Sequence, residues 1–178
     1  MGPGLDVSHQ LRTVDTSVMQ SHPPIVESSA RALVWATEED TRAFAARLAA
    51  HPSLRNAFVE LHGELGAGKT TLVRHLLRSL GVQGRIKSPT YAVVEPYTLP
   101  GLAIWHLDFY RFADPREWED AGLRDTFAAP GLKLAEWPAN AGAFLPRADL
   151  VVRIDVQPDE SRHVSLLAQT PVGLELLQ

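Results

Sequence analysis

Residues 60–77 read ELHGELGAGKTTLVRHLL. Three glycines, one lysine and two adjacent threonines stand between an apolar run, AFVEL (57–61), and a stretch in which Leu72, Val73, Leu76, Leu77 and Leu80 recur at helical spacing. The upstream run has the length of a buried strand, and Gly81 supplies a helix stop. The segment therefore reads as strand, loop, helix. Within the loop, Gly63-Glu64-Leu65-Gly66-Ala67-Gly68-Lys69-Thr70 satisfies the spacing G-x-x-x-x-G-K-[ST] of a phosphate-binding loop. Glycine lets the backbone curl until successive N–H groups face phosphate oxygens, and the helix that follows adds the positive end of its dipole. Lys69 is spaced to reach the β and γ phosphates, the Thr70 hydroxyl to ligate Mg2+, and Thr71 to contact the α phosphate. A merely flexible glycine turn would not need a strand before it and an amphipathic helix after it.

A phosphate loop needs an acid at the end of a neighbouring strand to help hold Mg2+. LAIWHLD (102–108) supplies an apolar run that closes on Asp108, although an aspartate there also suits an ordinary strand-end turn. Ser88-Pro89-Thr90-Tyr91 precedes this run, in the place where switch loops bring a threonine to the metal or the γ phosphate; a plain Ser-Pro turn is the other reading. Glu136 closes a third apolar run, LKLAEW (132–137), and is a candidate to order the attacking water or join the Mg2+ shell. Trp137 beside it suits the core. Arg111 suits either phosphate neutralisation or a salt bridge. The seven histidines show no metal-ligand spacing and read as structural or surface groups.

Around this centre the chain is organised simply. Residues 1–30 carry scattered polar residues, the Pro23-Pro24 pair and no period, so they read as a disordered tail, with the domain over 31–178. ALVWA reads as a short strand, and Thr37-Glu38-Glu39-Asp40 as a capping-box-like start to a helix with Phe44 and Leu48 on one face. The stretches 91–99 and 102–107 flank Pro100-Gly101 as a hairpin, and Pro96 assigns the first to a sheet edge or bulge. DPREWEDAGL reads as a short acidic helix, and DLVVRIDV (149–156) with HVSLLAQT (163–170) as a second hairpin. Parallel strands around the loop plus these hairpins predict an α/β, three-layer, P-loop NTPase-like domain: a mixed parallel/antiparallel sheet with helices on both faces.

Composition narrows the function classes. A chain of 178 residues with 45% apolar content buries one core. It has no cysteine, so disulfides and thiolate metal sites are excluded, and its first residues lack a secretory pattern, so a cytoplasmic location is expected. No apolar run reaches the ~18 residues of a membrane span. The net charge of −4 argues against a general nucleic-acid coat. A local basic stretch nonetheless runs between Glu64 and Glu95, where Lys69, Arg74, Arg78, Arg85 and Lys87 meet no acid. It balances phosphate charge and solvates a helix face, or it touches an acidic partner or tRNA.

Guanine recognition uses an N-K-x-D loop, and no Asn-Lys pair occurs, so ATP is favoured over GTP. GELGAGKTT, KSPTY, VEPYTL, HLDFYR, ADP, GLRD and AEWP, in this order and spacing, resemble the TsaE family over about Ala32 to Leu167. That resemblance implies a small Mg2+-dependent ATPase of bacterial tRNA threonylcarbamoyladenosine biosynthesis. It further implies partners, the TsaD and TsaB proteins, which modify an adenosine beside the tRNA anticodon, so that tRNA is met indirectly through the complex. The family's phosphate loop falls on Gly66, Ala67, Gly68, Lys69, Thr70 and Thr71, its strand-end acid on Asp108, its switch threonine on Thr90, and its second metal-associated acid on Glu136. Thr37 and Glu38 fall where the family meets adenine, and Trp137 matches a family tryptophan. The segment 1–30 has no counterpart. Two rivals stay open: a nucleotide-sensing module for which hydrolysis is incidental, and a small-molecule kinase.

Overall fold

The computed structural model describes residues 29–89, 91, 93–114 and 116–178. The tail over 1–30 therefore lies almost wholly outside the described residues, as does Thr90. Seven strands form one sheet: β1 (Ala30–Trp35), β2 (Phe58–His62), β3 (Val94–Leu99), β4 (Leu102–Asp108), β5 (Leu132–Glu136), β6 (Leu150–Val156) and β7 (Arg162–Ala168). Their order is β1-β7-β6-β2-β5-β4-β3. The inner block β6-β2-β5-β4 is parallel; β3 pairs antiparallel with β4, β7 antiparallel with β6, and β1 antiparallel with β7. This is the mixed sheet that the two hairpins and the strand-loop-helix unit require.

Period-two alternation assigns each strand residue to a face. Val59, Leu61, Ile104, Leu134, Val152 and Ile154 enter the larger core. There they meet Phe44, Ala45 and Leu48 of α1 (Glu38–Ala49) and Leu72, Val73, Leu76 and Leu77 of α2 (Lys69–Leu80). Each of those four α2 side chains contributes roughly 1.5–3 kcal/mol by leaving water. The opposite face packs Phe58, Leu107 and Ala135 against Phe109, Trp118 and Leu123. Trp118 comes from α3 (Glu117–Asp120) and Leu123 from α4 (Leu123–Ala128), so helices cover both faces.

Helix ends follow the residues that set them. The Asp40 carboxylate accepts from the Ala36 and Thr37 N–H groups at the start of α1. Gly81, left-handed at φ +106°, closes α2, and Val82 N–H donates to Leu77 at 2.9 Å. Arg78 donates to the carbonyls of Val82 and Gly84, so this member of the basic stretch holds the loop after α2.

The structure departs from the sequence reading in three places. The first hairpin strand starts at Val94 rather than at 91, because Val93 takes a left-handed φ of +67°. The acidic helix spans only Glu117–Asp120, since Gly122 at φ +66° turns the chain into α4. A terminal helix, α5 (Pro171–Leu176), was not anticipated; it starts where the Thr170 hydroxyl accepts from Gly173 N–H. Pro96 does lie on the edge strand, opposite Trp105. Among the described residues no helix is long and apolar enough to cross a membrane.

Candidate functional site

The chain leaves β2, crosses through α2 towards β4, returns to β5 beside β2, and then places β6 on the other flank of β2. That reversal opens a crevice at the carboxyl ends of the parallel strands, where open α/β sheets bind ligands. Residues 63–68 fill it. Gly63 takes φ +153°, and a Cβ there would stand 2.6 Å from the Ile154 carbonyl oxygen, so only glycine lets the loop lie against β6. Gly68 takes φ +110° and turns the loop into the first turn of α2. Nothing crowds a Cβ at that position, so its glycine serves backbone conformation rather than packing.

Lys69 opens α2 and is 4% exposed. Its ammonium donates to the carbonyls of Gly63 at 2.5 Å and Glu64 at 2.9 Å, tying the loop's first residues to the helix that follows. Burial lowers its pKa, opposed by the charges of Glu136, Asp108 and Glu64. An ammonium held in this way, with acids nearby and at the first turn of a helix, is fixed in place at the mouth of the loop.

Asp108 and Glu136 are paired in register at the ends of β4 and β5, and both are buried. Alternation puts them on the α2 face of the sheet, where the Thr70 hydroxyl donates to Glu136 at 2.9 Å to Oε1 and 3.2 Å to Oε2. The Asp108 carboxylate accepts from Tyr110 N–H at 2.9 Å. Among the described residues no three His, Asp or Glu side chains gather into a cage that would hold a metal alone. One hydroxyl and two carboxylates beside a phosphate loop instead fit Mg2+, a hard ion that takes further oxygens from phosphates and water.

Trp137 is half-buried, packed against the second core cluster and lining the cleft beside the loop as well. It is a bulky residue held at φ +54°, its ring centroid lies 4.5 Å from Lys69 Nζ, and Tyr110 packs on it at 5.1 Å. Arg111 lines the same cleft, its guanidinium 4.3 Å from the centre of the Tyr91 ring.

Two of the clefts beside the loop meet at the start of α2. One, about 380 Å³, is lined by Gly66, Gly68, Lys69, Thr70, Thr71, Asp108, Glu136 and Trp137 among others. The other, about 190 Å³, lies between Trp35, Thr37, Glu38, Thr41, Ala67, Gly68, Thr71 and Arg162. Gly68 and Thr71 line both, so the clefts meet around the start of α2. The structure thus gathers Gly66, Gly68, Lys69, Thr70, Thr71, Asp108 and Glu136 on one side and Thr37 with Glu38 on the other; Glu38 also meets His75 at 2.9 Å.

Sequence reasoning missed Arg162, whose Nε donates to the Ala67 carbonyl at 3.3 Å, and Trp35, its partner in the β1–β7 register. It also missed His106, which reaches Glu136 from below. The alternation of Leu102, Ile104, His106 and Asp108 on one face was the available signal for His106; Arg162 had none.

Comparison with known proteins agrees with this architecture. The family model of the threonylcarbamoyl adenosine biosynthesis protein TsaE matches residues 35–164. A curated tRNA threonylcarbamoyladenosine biosynthesis protein TsaE from Haemophilus influenzae is 47% identical over 119 residues, 67% of this chain and 75% of that one. Its Bacillus subtilis namesake is 34% identical over 138 residues, 76% of this chain and 85% of that one. The crystal structure of Bacillus subtilis YdiB superposes with a TM-score of 0.68 at 27% identity, covering 85% of this chain and 95% of that one. With the matched segment running from Trp35 through the glycine loop and both strand-end acids, the chain belongs to the TsaE family of tRNA threonylcarbamoyladenosine biosynthesis proteins.

Proposed function

We propose that this chain is a Mg2+-dependent ATPase that supports TsaD and TsaB in threonylcarbamoyl modification of the adenosine next to the tRNA anticodon, acting in the cytoplasm and meeting tRNA through that complex. The observation that carries the reading is the convergence of Lys69 and Thr70 with the paired acids Asp108 and Glu136 at one end of the parallel block.

In this reading Gly63, Gly66, Ala67 and Gly68 shape the backbone that wraps the phosphates, Lys69 neutralises the β and γ phosphates, and Thr71 meets the α phosphate. Thr37 and Glu38 border the base. The oxygens of Thr70, Asp108 and Glu136 would hold Mg2+, which would supply charge neutralisation for phosphoryl transfer. Glu136 also orients the attacking water. Phosphoryl transfer is catalysed mainly by positioning and charge neutralisation, so a slow enzyme is completed by whatever orders its loops. Thr90, carried over from the family resemblance, would act in the 88–91 loop when a partner docks.

The test is a pair of variants assayed for nucleotide binding and phosphate release. Lys69→Ala should lose binding, whereas Glu136→Ala should bind ATP and fail to turn it over. Wild-type hydrolysis by both would overturn the assignment.

A further inference from the structure

Among the described residues, Nδ1 of His106 is the buried side-chain polar atom with no hydrogen-bond partner. The ring is fully buried on β4, yet its other nitrogen, Nε2, lies 2.6 Å from Glu136 Oε2. His106 pairs in register with Leu134, one pleat behind the Asp108–Glu136 pair and on the same face. It lines neither cleft, so it touches Glu136 without reaching the phosphate space.

A merely structural residue at this position would be apolar. Leu102 and Ile104, the preceding residues on that face of β4, are, and a buried imidazole with one satisfied nitrogen costs stability that leucine would not. A carboxylate oxygen accepts, so the hydrogen of the 2.6 Å contact lies on Nε2, which makes His106 a donor aimed at Glu136, with no protein partner at Nδ1. Thr70 holds the carboxylate from the other side, closest to Oε1.

We propose that His106 is a positioning residue: its Nε2–H fixes Oε2 of Glu136, which leaves Oε1 turned to Thr70 and the phosphate cleft for the metal shell or the attacking water. The catalytic contribution rests on the ATPase reading above; the hydrogen bond itself does not. Outer partners that orient an acting carboxylate typically change affinity or activity by roughly 10–100-fold.

The experiment combines kinetics with a nucleotide-free readout. His106→Leu refills the ring's space without a donor, so it should fold, keep its ATP dissociation constant within about 3-fold, and lose about 10–100-fold in turnover. His106→Gln, whose amide N–H reaches the Nε2 position, should recover most of that loss. Adding His106→Leu to Glu136→Ala should slow the enzyme no further, since the two act as one unit. In the nucleotide-free chain, ring 15N NMR should find the proton on Nε2, exchanging slowly in wild type and in Lys69→Ala but quickly in Glu136→Ala.

Wild-type turnover by His106→Leu, equal loss in His106→Gln, an additive loss in the double variant, or a ring with no hydrogen on Nε2 would each overturn the proposal. If His106→Leu fails to fold, the His106→Gln rate and the ring proton decide it. If wild type hydrolyses no ATP even with TsaD and TsaB, the ATPase reading falls, while the ring proton still decides whether His106 holds Glu136.

Discussion

The two clefts that meet at the start of α2 are built from different parts of the sheet. The phosphate side draws Asp108 and Glu136 from the ends of parallel strands, buried and fixed by register. The other cleft, which the proposed function gives to the base, draws Trp35 and Arg162 from the antiparallel flank, where β1 is an edge strand and Arg162 sits at the start of β7. Buried acids whose carboxylates are each held by hydrogen bonds, Glu136 by Thr70 and His106 and Asp108 by the Tyr110 N–H, favour chemistry, because a preorganised low-dielectric site strengthens every interaction with developing charge. A flank of aromatic, hydroxyl and guanidinium groups favours holding and selecting a ligand. The loop joins the two through Gly68 and Thr71, so binding and turnover should be separable by mutation.

The broadest expected effect is on Lys69, which ties the loop to α2 and, on the proposed function, meets the phosphates. Lys69→Ala should weaken nucleotide binding by roughly 30- to 1,000-fold, as losing one partner of a desolvated charge pair does; titration with a fluorescent ATP analogue checks this. Glu136→Ala should sharpen the contrast, lowering single-turnover hydrolysis by about 100- to 10,000-fold with the dissociation constant nearly unchanged. Gly63→Ala tests the scaffold beneath both clefts. Its Cβ would meet the Ile154 carbonyl at 2.6 Å with φ held at +153°, so a denaturant melt should show a loss of about 1–3 kcal/mol.

The smallest effect should fall on the base side. Arg162→Ala removes a donor to the Ala67 carbonyl and one wall of the base cleft, so KM for ATP should rise roughly 3- to 10-fold while kcat holds. A fall in kcat of the same size as that in Glu136→Ala would break the division between the clefts.

Much of the phosphate side was legible because its information is local. The loop from Gly63 to Thr70 is contiguous, and Asp108 and Glu136 each close an apolar run. The strands that carry them, the edge position of Pro96 and both hairpins followed from the same local patterns. What stayed hidden depends on distant register. His106 lies 30 residues from Glu136 in sequence, and Arg162 lies 95 from Ala67. No window of sequence holds either pair. The six-residue helices α4 and α5 span under two turns, too few to register a helical period. Val93 was read into a strand because it lies in the continuous apolar run Tyr91-Ala92-Val93-Val94, whereas its left-handed φ accompanies a turn in which it donates to the Pro89 carbonyl at 2.7 Å and accepts from Asp108 N–H.

The most direct test of the central claim is steady-state phosphate release from Mg2+-ATP by the wild-type chain, Lys69→Ala and Glu136→Ala, each alone and with TsaD and TsaB. The account predicts slow release by wild type that rises strongly with the partners, and release near background from both variants under either condition. Partner-stimulated release from the two variants at the wild-type rate would contradict it.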